Sequence, residues 1–168
     1  MTETQETAFL ETLRSCVGRS GAPQTARDPV SEAAIRNWRD AMRFDGETVD
    51  AAAASERLGT APAAMLAVWT LPGNIPRVFD PGCPRGKVFS LLQQAGFSMM
   101  IGTNTEEEYV RPLEVGDLPT GTLSLLEVSE QKTTGLGTGY FVTTLTEFTN
   151  QKGERIGSWK FRTFNFRP

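Results

Sequence analysis

KVFSLLQQAGFSMMIGTN (87–104) decides the fold. Up to Gly96 the apolar residues Val88, Leu91, Leu92 and Ala95 recur at helical spacing, and Gly96 stands where a helix ends on a glycine. Beyond Gly96 the period falls from 3.6 to 2. Strand-like runs follow at 97–104, 107–113, 121–132, 138–150 and 155–166, separated by the turn sequences VGDLPTG, TTGLGTG and NQKGE. In the last run Ile156, Trp159, Phe161, Phe164 and Phe166 are set among Lys160, Arg162 and Asn165. One central helix followed by an antiparallel meander is an α+β architecture, an apolar helix wrapped by a curved sheet. Rossmann and P-loop folds need alternating strands and helices, so they are excluded.

Upstream, QETAFLETLRSCV (5–17) places Phe9, Leu10, Leu13 and Val17 on one helical face. SGAPQTARDP (20–29) is a cluster of helix breakers. PVSEAAIRNWRDAM opens a second helix, with Ser31 as N-cap, Glu32 in the first turn, and Ala34, Ile35, Trp38 and Met42 on one face. AAAASERLG (51–59) reads as a short helix or linker, and APAAMLAVWTLPG (61–73) as a short buried helix bounded by Pro62 and Pro72. NIPRVFDPGCPRG (74–86), with three prolines and two glycines, reads as an ordered loop. The expectation is one domain over 1–168, with 1–27 as an N-terminal helical extension.

The chain has 168 residues, 17 Lys+Arg and 20 Asp+Glu, for a net charge of −3. That balance speaks against general binding to nucleic acid or to an anionic membrane. There is no histidine. Ser-His-Asp and Cys-His catalysis and the histidine zinc motifs are therefore excluded within this chain. Cys16 and Cys83 form neither a zinc site nor a disulfide framework, so no metal is expected and the thiols read as reduced. The N-terminus lacks a basic and then apolar leader. The longest apolar stretch, 61–73, falls short of the ~20 residues of a membrane span. The expected location is the cytoplasm, with no membrane partner.

The downstream half carries a recognisable ordered set: Tyr109, Arg111 and Pro112, then Val115-Gly116-Asp117, then a long strand ending in Thr-Asn-Gln-x-Gly-Glu (149–154). With the helix of PVSEAAIRNWRDAM and the APAAM turn upstream, residues 28–167 resemble the MaoC-like (hydratase-2) branch of the hot-dog fold. The resemblance implies a hot-dog domain with extra N-terminal helices, acting on coenzyme A thioesters and needing no cofactor. Members hydrate enoyl thioesters with an Asp and a His spaced Asp-x(4)-His, one group activating water at Cβ while the other handles the proton at Cα. The matching segment, WRDAMRFDGETVDAA (38–52), holds Asp40, Asp45 and Asp50 but no His. The chain is most similar to the non-catalytic half of heteromeric hydratases that act on steroid side-chain enoyl-CoA. The resemblance therefore implies an acyl-binding subunit without catalytic residues of its own. It also implies a smaller catalytic hot-dog partner, in a heterodimer or a dimer of heterodimers. A further C-terminal domain follows in such subunits.

An acyl-CoA needs an adaptable apolar pocket for its tail and cations for its head. The candidates for the tail are Met65, Trp69, Phe89, Leu92 and Met99, with Met100 beside it. Those for the head are Arg77, Arg85 and Lys87, and Tyr109 and Arg111 complete the set. Charge is uneven: residues 151–168 carry +4 and residues 103–130 carry −6, which could steer a CoA head or a partner. The glycines of TTGLGTG fit a wide hairpin or a close approach of backbone to ligand. Two other readings stand beside the leading one. The first is a self-sufficient thioesterase with Asp45, Glu47 or Asp50 as base. The second is an assembly module without ligand.

Overall fold

In the computed structural model the described residues are 3–42, 59–71 and 82–168. Helix α1 (Glu3–Arg14) is followed by strand β1 (Gln24–Thr25), helix α2 (Glu32–Ala41) and strand β2 (Thr60–Ala61). Helix α3 (Pro84–Gln94) precedes β3 (Met99–Tyr109), β4 (Leu113–Glu114), β5 (Thr120–Val128), β6 (Lys132–Thr134), β7 (Gly137–Thr149) and β8 (Arg155–Arg167). The main sheet runs β1-β5-β7-β8-β3, with β6 on β7, and its strand pairs are antiparallel. This is the expected hot-dog arrangement.

The switch at Gly96 is a Schellman cap. Gly96 adopts φ +89, its N–H donates to the Gln93 carbonyl at 3.0 Å, and the Phe97 N–H donates to the Leu92 carbonyl at 2.9 Å. Phe97 then packs with Leu92 in the same core cluster, so the cap turns the chain from helix into sheet with its apolar side inward. That cluster joins Val88, Phe89 and Leu92 of α3 to Leu125, Val128, Tyr140 and Val142 of the sheet. Leu13 and Cys16 belong to it as well, so the N-terminal helix packs against this core. A second cluster gathers Val30, Ile35, Met65, Leu66, Leu113, Phe148 and Ile156 near the other end.

Several expectations need correction. The runs 97–104 and 107–113 are not two strands. Met99–Tyr109 is one continuous strand, β3, which ends before Arg111-Pro112, where proline has no N–H for a ladder, and Leu113 falls in β4. The stretch 61–73 is not an α-helix. Its described part makes two 3₁₀ turns, Ala63–Met65 and Val68–Thr70, although Met65 and Leu66 are buried as expected. Val17 and Met42 lie exposed because α1 stops at Arg14 and α2 at Ala41, which breaks the helical period before either residue. The breaker cluster holds β1, paired on β5. Ser31 is the N-cap, accepting from the Ala34 N–H at 3.3 Å. The close approach of the Gly-rich hairpin is to protein backbone. A Cβ on Gly137 or Gly139 would strike the β8 main chain at Arg167 or Asn165.

The two edges of the sheet differ. The chain from Gly18 to Ala26 runs along β5, with hydrogen bonds between Gly18 and Leu125, Gly21 and Leu123, and Ala26 and Pro119, and covers that edge. β3 pairs only with β8 among the described residues, and every residue from Met99 to Tyr109 is exposed.

Candidate functional site

The C-terminal end of β3 builds a cleft of about 390 Å³. Its walls are the β2–β4 pair, the first 3₁₀ turn with Ala63 and Leu66, and the run Tyr109–Leu113, with Ile156 of β8. Pro62 ends β2 and opens the 3₁₀ turn, which brings Leu66 over Ile156. Its lining is mostly apolar, with Thr60, Tyr109 and Arg111 as its polar side chains.

A clasp of polar side chains fixes the cleft wall. Arg111 gives both terminal guanidinium nitrogens to Asp117, Nη1 to Oδ2 and Nη2 to Oδ1, each at 3.0 Å. Asp117, 7% exposed, also accepts the Glu114 N–H at 2.9 Å and Asn150 Nδ2 at 3.2 Å. Asn150 Nδ2 donates to Glu154 as well, and its Oδ1 accepts the N–H groups of Lys152 and Glu154. Gln151 bridges back, accepting the Leu118 N–H and donating to the Gly116 carbonyl. Two turns about 33 residues apart in sequence are thereby tied together. Burial by itself would raise the Asp117 pKa. The hydrogen bonds from Arg111, Glu114 and Asn150 outweigh it and hold the carboxyl below its ordinary value. The same hydrogen bond raises Arg111 further. Tyr109 donates to Glu107, and desolvation followed by that partner pushes its phenol up to about 12.

The structure divides the predicted ligand residues among separate places. Tyr109 and Arg111 meet in the cleft. Met65 and Trp69 pack in the core cluster behind it, with Trp69 Nε1 buried and unpartnered. Phe89 and Leu92 belong to the other cluster. Arg85 lies over the ring of Phe89, 5.4 Å from its centroid, and Lys87 is exposed on the same helix. Met99 starts β3, ten residues before Tyr109, so the two are about 33 Å apart along an extended strand. One small pocket does not unite them. Arg77, Asp45, Glu47 and Asp50 lie outside the described residues. Part of the uneven charge is answered where β3 meets β8: Glu106 pairs with Lys160 and Glu108 with Arg155. Residue-level reasoning missed Leu66, Leu113 and Ile156 as cleft lining, though each sits in an apolar run. It also read Asp117, Asn150 and Glu154 only as motif letters, when together they build the clasp.

With sheet, cleft and clasp in view, the class is settled: the chain belongs to the family described as FAS1-like, dehydratase domain region, whose model matches residues 15–158. Its relatives narrow the likeness. It is 34% identical over 167 residues to a probable enoyl-CoA hydratase alpha subunit of Thermomonospora curvata, covering 93% of this chain and 51% of that protein. It is 32% identical over 151 residues to the 3-oxo-4,17-pregnadiene-20-carboxyl-CoA hydratase alpha subunit of Mycobacterium tuberculosis, covering 87% of this chain and 48% of that protein. The chain thus spans about half the length of the curated relatives it matches. Among solved structures, a chain of the ChsH1-ChsH2 complex from Mycobacterium tuberculosis superposes with a TM-score of 0.79 at 28% identity, over 98% of this chain and 93% of that one. A MaoC-like dehydratase at 19% identity and TM-score 0.55 shares the fold, over 92% of this chain and 43% of that one. Among the described residues, no helix is long and apolar enough to cross a membrane.

Proposed function

We propose that this chain is the acyl-binding, non-catalytic hot-dog component of a heteromeric enoyl-CoA hydratase acting on a steroid side-chain thioester, with the catalytic Asp and His supplied by a smaller partner subunit. The observation that carries this reading is the absence of any histidine in a chain of a dehydratase family. Hydration needs two groups of separated pKa, one for water and one for the Cα proton. Two carboxylates next to the cleft's polar residues are already engaged: Asp117 by Arg111, and Glu107 by Tyr109. The cleft contributes shape and apolar surface for an acyl group, and Tyr109 and Arg111 present its polar edge. Arg85 and Lys87 on α3, with Arg77, remain candidates for the CoA head. Both similar curated proteins are alpha subunits of hydratases, and the similar structure is a two-component complex. The open edge of β3 is where a second hot-dog sheet would continue this one.

The test is a hydration assay on a steroid side-chain enoyl-CoA. It compares the purified chain with the chain co-purified with a smaller hot-dog subunit carrying the Asp-x(4)-His pair. Turnover only in the complex is expected. Turnover by the chain alone, abolished by Asp45→Asn or Glu47→Gln, would replace this reading with a self-sufficient enzyme.

A further inference from the structure

The outer face of the sheet, turned away from α3, carries two unpaired charges. β7 sends Tyr140, Val142 and Phe148 inward to the two core clusters, so the alternate residues Phe141, Thr143 and Leu145 point outward. The ladders carry that alternation across the sheet. Glu127 on β5, Thr143 on β7 and Arg162 on β8 stand directly opposite one another, and Asn104 on β3 ends the row. Glu127 is exposed and Arg162 is half-buried. Neither side chain has an ion pair or a hydrogen bond among the described residues, whereas Lys160 and Arg155 on the same strand each hold a carboxylate. Arg162 instead lies over the ring of Phe141, 4.5 Å from its centroid, with its Nε buried and unpartnered. Two strand spacings, about 9.6 Å, separate it from Glu127, which is too far for a pair within the chain.

That row is complementary to itself. A two-fold axis laid along β7 through Thr143 turns the outer face of one copy onto the outer face of another. Because Glu127 and Arg162 lie one strand to either side of β7, the operation sets Glu127 of each copy over Arg162 of the other. Thr143 is small and buried, so it lets the two faces approach on the axis. Phe141 and Leu145, both half-buried, flank it on β7 and meet their own counterparts. In the Leu145 row, Ser124 falls over Lys160, so no like charges are opposed there. Glu147 is the like charge that lies on the axis. It is exposed at the far end of the patch, and the roughly 30° between aligned packed sheets splays its two copies apart. Strands β5, β7, β8 and β3 offer roughly 500 Å² per copy, the low end for a specific interface.

We infer that the outer face of the sheet packs on the same face of a second copy of this chain, through two reciprocal Arg162–Glu127 ion pairs about Thr143. The contact gives the half-buried guanidinium the anion that its own chain does not supply, beside a ring that already shields it from water. It uses neither the cleft nor the backbone edge of β3, so it stands apart from the acyl-binding reading.

Charge reversal tests this. Sedimentation velocity of the wild-type chain over a concentration series should show a monomer–dimer equilibrium. Arg162→Glu or Glu127→Arg alone should weaken it roughly tenfold or more, because two attractive pairs become two repulsive ones. An equimolar mixture of the two variants should recover the dimer, since each copy then offers the charge that the other lacks. Thermal circular dichroism checks that each variant stays folded. Should a reversal unfold the chain, Arg162→Gln and Glu127→Gln remove the attraction without adding repulsion and should weaken the dimer by a smaller factor. A wild type that stays monomeric across the series would overturn the inference. So would a dimer that neither reversal weakens, or one that the mixture fails to restore, since the faces would then meet elsewhere. None of these results touches the acyl-binding proposal, which stands or falls on the hydration assay.

Discussion

Replacing Asp117 by alanine should unfasten the cleft wall. The carboxylate is 7% exposed and accepts four hydrogen bonds, two from Arg111 and one each from Glu114 and Asn150. Removing it leaves a guanidinium whose Nε is already buried and unpartnered, together with an orphaned amide N–H. Deleting one partner of a buried ion pair costs ~3–5 kcal/mol. Two features reduce that here. The Arg111 side chain keeps 24% exposure, so water can reach it, and Glu154 remains 3.7 Å away as a second anion. The expected loss is about 2–3 kcal/mol, which for a domain of this size lowers Tm by roughly 5–10 °C. Urea unfolding gives the free energy, and thermal circular dichroism gives Tm. An Arg111→Ala cycle should show a coupling of at least about 1 kcal/mol. The pH dependence has a definite sign. The Asp117 pKa is lower in the folded chain than in the unfolded one, so the unfolded chain takes up the proton first. Its contribution is therefore fully present above the unfolded value of about 3.9 and is lost as pH falls through the folded one. Asp117→Asn should flatten that acid-side loss. A loss below about 0.5 kcal/mol for Asp117→Ala, or no coupling to Arg111, would refute the clasp.

Three other outcomes follow from local geometry. Ser31→Ala should cost about 1 kcal/mol by urea unfolding, because the cap of α2 is lost. Gly102→Ala should destabilise by roughly 1–3 kcal/mol, since its Cβ would stand 2.8 Å from Cζ of Phe161. An unchanged midpoint would show that the ring swings aside freely. Ala63→Trp should fill the cleft without disturbing the buried core. It should abolish the stabilisation that a saturating acyl-CoA gives, about 2.7 kcal/mol at a hundredfold excess over Kd. A thermal shift equal to that of wild type would place the acyl group elsewhere.

Much of the fold was legible because its signals are local. The helical period, Ser31 and Gly96 report on a few neighbouring residues, and α2, α3 and the strands β5, β7 and β8 lie close to where the pattern puts them. The pattern split β3 at Thr105–Glu106 and left the three consecutive acids Glu106–Glu108 astride the break. An edge strand with both faces in water tolerates them, and only the pairing with Lys160 and Arg155 on β8 makes them a strand. The 3₁₀ turns at Ala63–Met65 and Val68–Thr70 escaped for a related reason, since a short apolar run between prolines has no unique period.

By itself, the sequence determined the α+β class, the likeness to MaoC-like proteins and the lack of a histidine, since these depend on order and residue type. Which side chains share a site was decided only in three dimensions. Arg111 finds Asp117 through a tight turn at Gly116, and Asn150 reaches the same carboxylate from 33 residues away. The candidate residues Met65, Phe89, Met99 and Tyr109 looked equivalent in the chain and are parted by two core clusters and the length of β3. Strand order also decides which edge is covered and which is open, and strand order is a long-range property. Each pairing closes a loop of tens of residues and is chosen by how whole faces bury, so no local period encodes it.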